Sequence, residues 1–263
     1  MMSYEFYAQT DPGLLRENNE DAVTFDGETR LAVLADGMGG YNAGEIASNM
    51  AATFIKTELA RWLSEAGKLA GGKEVRRAME ICVDNANRSV FNAANSNVQY
   101  SGMGTTLVMA VFQDDRVVVG HVGDSRCYLY RAGALRQVTR DHSLLQEQID
   151  AGLISPEEAA VSVNRNLVTR ALGVEDVVAL ETHEHTIEAE DIYLLCSDGL
   201  TDMVDDAQIA RILANAEALE QRARRLIEAA NANGGRDNIS VLLAQSRSIP
   251  RKRSFISRLL GNQ

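Results

Sequence analysis

The stretch "TTLVMAVFQDDRVVVGHVGDSRCYLYRAGALRQVT", residues 105–139, decides the architecture. It holds four β-prone runs, 105–112, 116–123, 126–131 and 134–139. The first pair meets at Asp114-Asp115 and the second at Ala132-Gly133. Connections this short join antiparallel neighbours, because a parallel pair needs a crossover of about a dozen residues. Toward the N-terminus, 21–25 and 30–35 form another pair through Asp26-Gly27, a hairpin dipeptide. Further strands are predicted at 177–187, 191–196 and 239–245.

Helical periodicity fills the gaps. Residues 43–65 place Ile46, Met50, Phe54, Ile55, Leu59 and Trp62 at three- and four-residue steps. Residues 73–94 do the same with Val75, Met79, Cys82, Ala86, Val90 and Phe91, and Gly71-Gly72 parts the two helices. Ser143 and Gln146 mark the start of a short helix over 143–151 that Gly152 ends, and Ser155-Pro156 starts another. A longer helix is predicted at about 207–231. Clustered strands, tight turns and paired helices define an α+β fold with antiparallel sheets, not a doubly wound parallel sheet.

The chain has 263 residues, 45% hydrophobic and 24% charged, which suits one large domain or two small ones with ample core. Its net charge of −11 repels nucleic acid and anionic membrane. Three scattered cysteines, Cys82, Cys127 and Cys196, each in an apolar run, read as core residues of a protein from a reducing compartment. No basic, apolar leader opens the sequence and no run approaches the ~18 apolar residues of a membrane span, so a cytoplasmic protein is expected.

The acids then need an explanation. Asp36-Gly37 follows the apolar run "LAVLA", and Asp198-Gly199 follows "IYLLCS". Unlike Asp26-Gly27, neither joins two adjacent strands, so a hairpin turn explains them poorly. A carboxylate at the end of a buried strand needs a counter-charge. Glu20 and Asp21 precede a strand, Asp124 sits in the break between two runs, and Asp237 immediately precedes the last strand. Oxygen donors of this kind suit hard cations such as magnesium or manganese. Each acid taken singly leaves ligand and turn residue equally open.

Eight motifs in order are more specific: "RENNED" (16–21), "ADGMGG" (35–40), "GMGTT" (102–106), "VGDSR" (122–126), "DHS" (141–143), "TRALG" (169–173), "CSDGL" (196–200) and "GRDNISV" (235–241). Together they resemble the metal-dependent serine/threonine protein phosphatases of type 2C, in particular their compact bacterial members. The resemblance spans residues 10–246. It implies two antiparallel sheets packed face to face with helices outside, a catalytic domain over 1–247, and hydrolysis of phosphoserine and phosphothreonine in proteins. The implied cofactors are two Mn2+ or Mg2+ ions, with a weaker third. By the same resemblance, Asp36 bridges the two ions, with the Gly37 carbonyl on one of them. Asp198 and Asp237 complete one ion, Glu20 holds the other mainly through water, and Asp124 joins Asp198 on the third. Arg16 clamps the phosphate, and a hydroxide shared by the ions attacks phosphorus in line. The implied partners are phosphorylated proteins, substrates of a serine/threonine kinase. Met38 stands where many relatives carry a histidine general acid, and methionine has no proton to give. A non-catalytic phosphoprotein-binding module of the same fold is the alternative reading; a structural domain that merely binds calcium or magnesium is a third.

The histidines read as structural. His121 lies in a β-prone run as a core or rim residue, and His142 fixes a loop. His183 and His185 alternate on one strand face, but the sequence shows no third ligand beside them. Arg126 and Arg170 are expected to pair with local acids or carbonyls. Residues 141–175 correspond to the family's flap. The end, "SIPRKRSFISRLLGNQ" (248–263), has four basic residues and no acid. It reads as a flexible, solvated tail, or as a segment that docks a partner or membrane surface through Phe255, Ile256, Leu259 and Leu260.

Overall fold

The computed structural model describes residues 2–39, 43–66, 70–155, 158–159, 162 and 167–249. The tail from 250 onward and Pro156 lie outside the described residues.

The hydrophobic run "LAVLA" shows how the layers form. It lies in β3 (Leu31–Met38), paired antiparallel with β2 (Asp21–Asp26) and β5 (Leu107–Phe112). Alternate residues of a strand face opposite sides. Leu31, Val33 and Ala35 meet the helices α1 (Ala43–Ala66) and α2 (Gly72–Ser96). Ala32 and Leu34 face a second sheet. Both faces are buried, so the strand is apolar throughout.

The first sheet runs β2-β3-β5-β6-β9, adding β6 (Arg116–Val122) and β9 (Glu181–Thr186), with β4 (Gly104–Thr105) paired to β3. The second runs β1-β11-β10-β7-β8, from β1 (Met2–Asp11), β11 (Ile239–Ser248), β10 (Ile192–Cys196), β7 (Arg126–Arg131) and β8 (Ala134–Gln137). All recorded pairings are antiparallel. Between β8 and β9 lies α3 (Leu144–Asp150), and between β10 and β11 lie α4 (Asp198–Thr201), α5 (Asp206–Ala214) and α6 (Leu219–Ala232). The outer face of the second sheet buries Tyr128, Leu194, Cys196, Val241 and Leu243 against α5 and α6. The molecule is thus a helix–sheet–sheet–helix sandwich, the expected architecture.

Several predicted boundaries move. The helix expected over 207–231 is two, because Asn215 and Ala218 are extended (ψ 137° and 152°) and redirect the chain so that both helices lie on the sheet. The strand expected over 177–187 pairs only from Glu181, and the run 105–112 breaks at Thr106 between β4 and β5. The last run, 134–139, pairs only to Gln137. Strand β1 was not anticipated, although Tyr4, Phe6 and Ala8 alternate and pack into the inter-sheet core. On α1 the fully buried positions include Ala47, Ala51, Ile55 and Leu59, while Ile46, Met50, Phe54 and Trp62 are half-buried. Small alanines let the helix approach the sheet closely.

At one end of the inter-sheet core Phe112 meets Tyr4, Phe6 and Tyr193, with ring centroids 5.1, 5.6 and 5.4 Å away. Phe112→Ala is expected to destabilise the fold by about 3–5 kcal/mol, because a cavity opens among rings that cannot all move. Urea unfolding reads this directly, and a shift under about 1 kcal/mol would contradict this packing.

Candidate metal centre

The ends of β3, β10 and β11 and the β6–β7 break meet at one edge of the sandwich. Pairing within the sheets puts them there: Leu34 is opposite Val108, Leu107 opposite Val122, and Cys196 opposite both Arg126 and Val241. Asp198 therefore leaves β10 where Asp237 approaches β11, and Asp124 occupies the bend where the chain crosses from one sheet to the other.

Asp36 has the same parity as Ala32 and Leu34, so its strand position faces between the sheets. Directly opposite it on β2 is Asp21. Like charges opposite each other across strands destabilise a sheet, and here Asp21 is buried and Asp36 partly buried. The backbone of Asp36 is pinned: its N–H donates to Thr106 Oγ1 (3.1 Å), and its carbonyl accepts from the Thr106 N–H (2.8 Å) and Thr105 Oγ1 (2.9 Å). Ser197 Oγ donates to Asp21 Oδ2 (2.8 Å), while Asp21 Oδ1 is buried without a partner.

The electrostatics follow from this geometry. Burial raises Asp36 well above the ordinary carboxylate range, and the charges of Asp21, Asp198, Asp124 and Asp237 raise it further. Asp198 is raised well above that range by burial, then by Asp124, Asp202, Asp237 and Asp21. Burial also pushes Asp21 and Asp124 up to about 6. Glu20 is raised by burial against a lowering influence from Arg16.

Glu20 and Gly37 are held together, since the Gly37 N–H donates to the Glu20 carbonyl (3.1 Å). A Cβ on Gly37 would lie 2.6 Å from that same carbonyl oxygen and closer still to that of Gly44, so only glycine fits. The Glu20 N–H donates to Asn238 Oδ1 (2.8 Å), which ties it to the residue after Asp237. Arg16 reaches the cluster by an ion pair from Nη2 to Asp237 Oδ2 (2.7 Å). The structure therefore brings Arg16, Glu20, Asp36, Gly37, Asp124, Asp198 and Asp237 to one edge. It adds Asp21, which the sequence placed before a strand but gave no role. The signal was present: the Asp26-Gly27 hairpin pairs Asp26 with Leu31, and counting back five residues sets Asp21 against Asp36.

Among the described residues, no three of these acids bring oxygens within 4.8 Å of one another. The cluster is wider than a cage for one ion. It fits two hard cations that keep water in part of their coordination, with Asp21 Oδ1 as an unused acceptor at the base. Elsewhere, Arg126 donates from Nε and Nη2 to Asp141 and from Nη1 to Tyr128 Oη (3.0 Å), and Arg170 Nη1 lies 3.4 Å from His142 Nε2. Arg126 thus pairs with an acid as expected, while Arg170 meets a histidine ring instead of an acid or carbonyl.

An antiparallel sandwich whose strand ends gather carboxylates at one edge suits a metal-dependent enzyme. The chain belongs to the protein phosphatase 2C family, whose pattern matches residues 19–239. It is 39% identical over 240 residues to the serine/threonine phosphatase stp of Listeria innocua, covering 90% of this chain and 94% of that one. The crystal structure of the Mycobacterium tuberculosis serine/threonine phosphatase PstP/Ppp superposes with a TM-score of 0.85 at 37% identity, covering 93% of this chain and 99% of that one. A structure of the PstP catalytic domain in complex with two manganese ions superposes at 0.80, with 36% identity and coverage of 94% and 100%.

Proposed function

We propose that this protein hydrolyses phosphoserine and phosphothreonine in protein substrates, using Mn2+ or Mg2+ held at the acidic edge. The convergence of Asp124, Asp198 and Asp237 on partly buried Asp36 carries this reading. Asp36 and the Gly37 carbonyl, with Asp198, Asp237 and Glu20, would hold two such ions, and Asp124 with Asp198 would hold a weaker third. When bound, such ions lower the pKa of water and neutralise charge on phosphoryl oxygens.

The chain's own groups position the reaction. Thr105 and Thr106 fix the backbone at Asp36, and Asn238 fixes Glu20. Arg16, half-exposed on Asp237, presents a planar fork suited to a phosphate dianion. Met38 contributes no proton. The substrates are phosphoproteins made by a serine/threonine kinase of the same cell, and the setting is cytoplasmic signalling. Residues 1–247 form the catalytic domain, and the basic tail from 248 docks a partner or a membrane surface, or stays solvated. No helix among the described residues is long and apolar enough to cross a membrane.

Phosphate release from a phosphothreonine peptide is expected with Mn2+ and not with chelator. Peptide binding without release would support the non-catalytic module instead. Arg16→Ala is expected to raise KM for the peptide about 10-fold, the worth of a charge-assisted hydrogen bond. An unchanged KM would remove Arg16 from phosphate binding.

A further inference from the structure

All four histidines of the chain gather at the open edge of the first sheet, away from any role assigned above. His121 stacks on His142 with ring centroids 4.5 Å apart and on His183 at 5.7 Å, and His183 stacks on His185 at 6.5 Å. The sheet register explains the row. His121 on β6 lies opposite Glu181 on edge strand β9, and His183 is two residues further along the same face.

We propose that His121, Glu181 and His183 form a second metal site, selective for a zinc-type transition metal. One ring nitrogen of each histidine and a carboxylate oxygen of Glu181 already lie within 4.8 Å of one another. A tetrahedral zinc site needs about 3.3 Å between ligands, from bond lengths near 2.0–2.1 Å, so a small inward shift completes it. Two imidazoles and a carboxylate favour zinc over the hard cations that suit the aspartate cluster, and the fourth position is left for water.

The tautomers of His121 and His142 are already set. His121 Nε2 lies 2.7 Å from the Arg140 carbonyl, which can only accept, so this nitrogen carries the proton. Nδ1 is then a bare lone pair, and it is buried without a partner on a ring that is 0% exposed. A backbone carbonyl orienting a ligating histidine in this way is the usual support of a metal site. Burial also lowers the His121 pKa to about 4, which keeps the ring neutral. His142 accepts the Gly123 N–H at Nδ1 (3.1 Å), so its Nε2–H donates to Glu181 Oε2 (3.0 Å) and steers the carboxylate. Glu181 Oε1 lies 3.1 Å from His183 Nε2, yet that nitrogen makes no hydrogen bond. The opposing charges are Arg170, near His142, and Arg136, near His185.

Occupancy would tie β9 to the segment 140–143 and, through His142 and Gly123, to the bend that holds Asp124. The site is separable from the aspartate cluster. In full-length protein carrying Asp36→Asn and Asp198→Asn, or in wild-type protein with excess Mg2+, cobalt(II) is titrated as a zinc stand-in and its tetrahedral visible band recorded. One equivalent should give the band, zinc should displace it, and zinc should raise the melting temperature. His183→Ala and Glu181→Gln should each weaken binding about 100-fold, while His185→Ala leaves it intact. No band in either background, or a band that survives both substitutions, overturns the proposal.

Discussion

Asp36→Asn is expected to lower kcat on a phosphothreonine peptide by about 10³-fold or more, about 4 kcal/mol of transition-state stabilisation. Asparagine keeps the shape of the side chain and leaves the Thr105 and Thr106 bonds to the backbone in place. What it removes is the anion at the centre of the cluster, toward which Asp21, Asp198, Asp124 and Asp237 all direct their charge. Activity and stability should therefore part company. In metal-free protein the substitution deletes a partly buried carboxyl that desolvation and its neighbours disfavour as an anion, so the melting temperature should hold or rise. Steady-state kinetics beside a thermal melt distinguishes this from simple unfolding. A variant that retains near-wild-type kcat at saturating Mn2+ would sink the assigned role of Asp36.

Chelation is expected to lower the melting temperature near pH 7.5 by about 5–10 °C. A ligand at 100 times its Kd stabilises by about 2.7 kcal/mol, and each kcal/mol is worth about 2–4 °C in a chain of this size. The pH dependence has a definite sign. The folded carboxyls of Asp21 and Asp124 titrate at about 6, and those of Asp36 and Asp198 are raised well above the ordinary range. Their unfolded value is about 3.9. Groups raised on folding contribute stability that is complete below the unfolded pKa and is lost as pH rises through the folded one. Metal-free protein should thus lose stability from about pH 4 to about pH 6 through Asp21 and Asp124, and further above that range through Asp36 and Asp198. Metal binding demands the deprotonated acids, so it strengthens over the same range. The gap between melts with metal and with chelator should widen from pH 5 to pH 7.5, and Asp198→Asn should narrow it. A gap that stays constant with pH would show that the ions do not bind these acids.

Much of the site was legible before any coordinates, because turn chemistry and strand periodicity are local. The Asp26-Gly27 hairpin, the short link at Asp114-Asp115 and the apolar runs ending in Asp36 and Asp198 each declare themselves within about ten residues. Helix boundaries were less secure. The break at 215–218 contains neither glycine nor proline, and it forms because α5 and α6 must both lie on one sheet. Strand β1 was missed for a related reason: its alternation is plain, but its partner β11 lies more than two hundred residues away.

The sequence by itself determined the antiparallel class, the residues of the acidic edge and the family to which they point. These rest on the order of residues along the chain. Only the tertiary structure decided which groups touch. It set Asp21 against Asp36, placed Arg16 on Asp237, and brought His121 on β6 beside Glu181 and His183 on β9. Strand register and the packing of two sheets fix those meetings, and both are properties of distant segments whose joint burial no local pattern encodes.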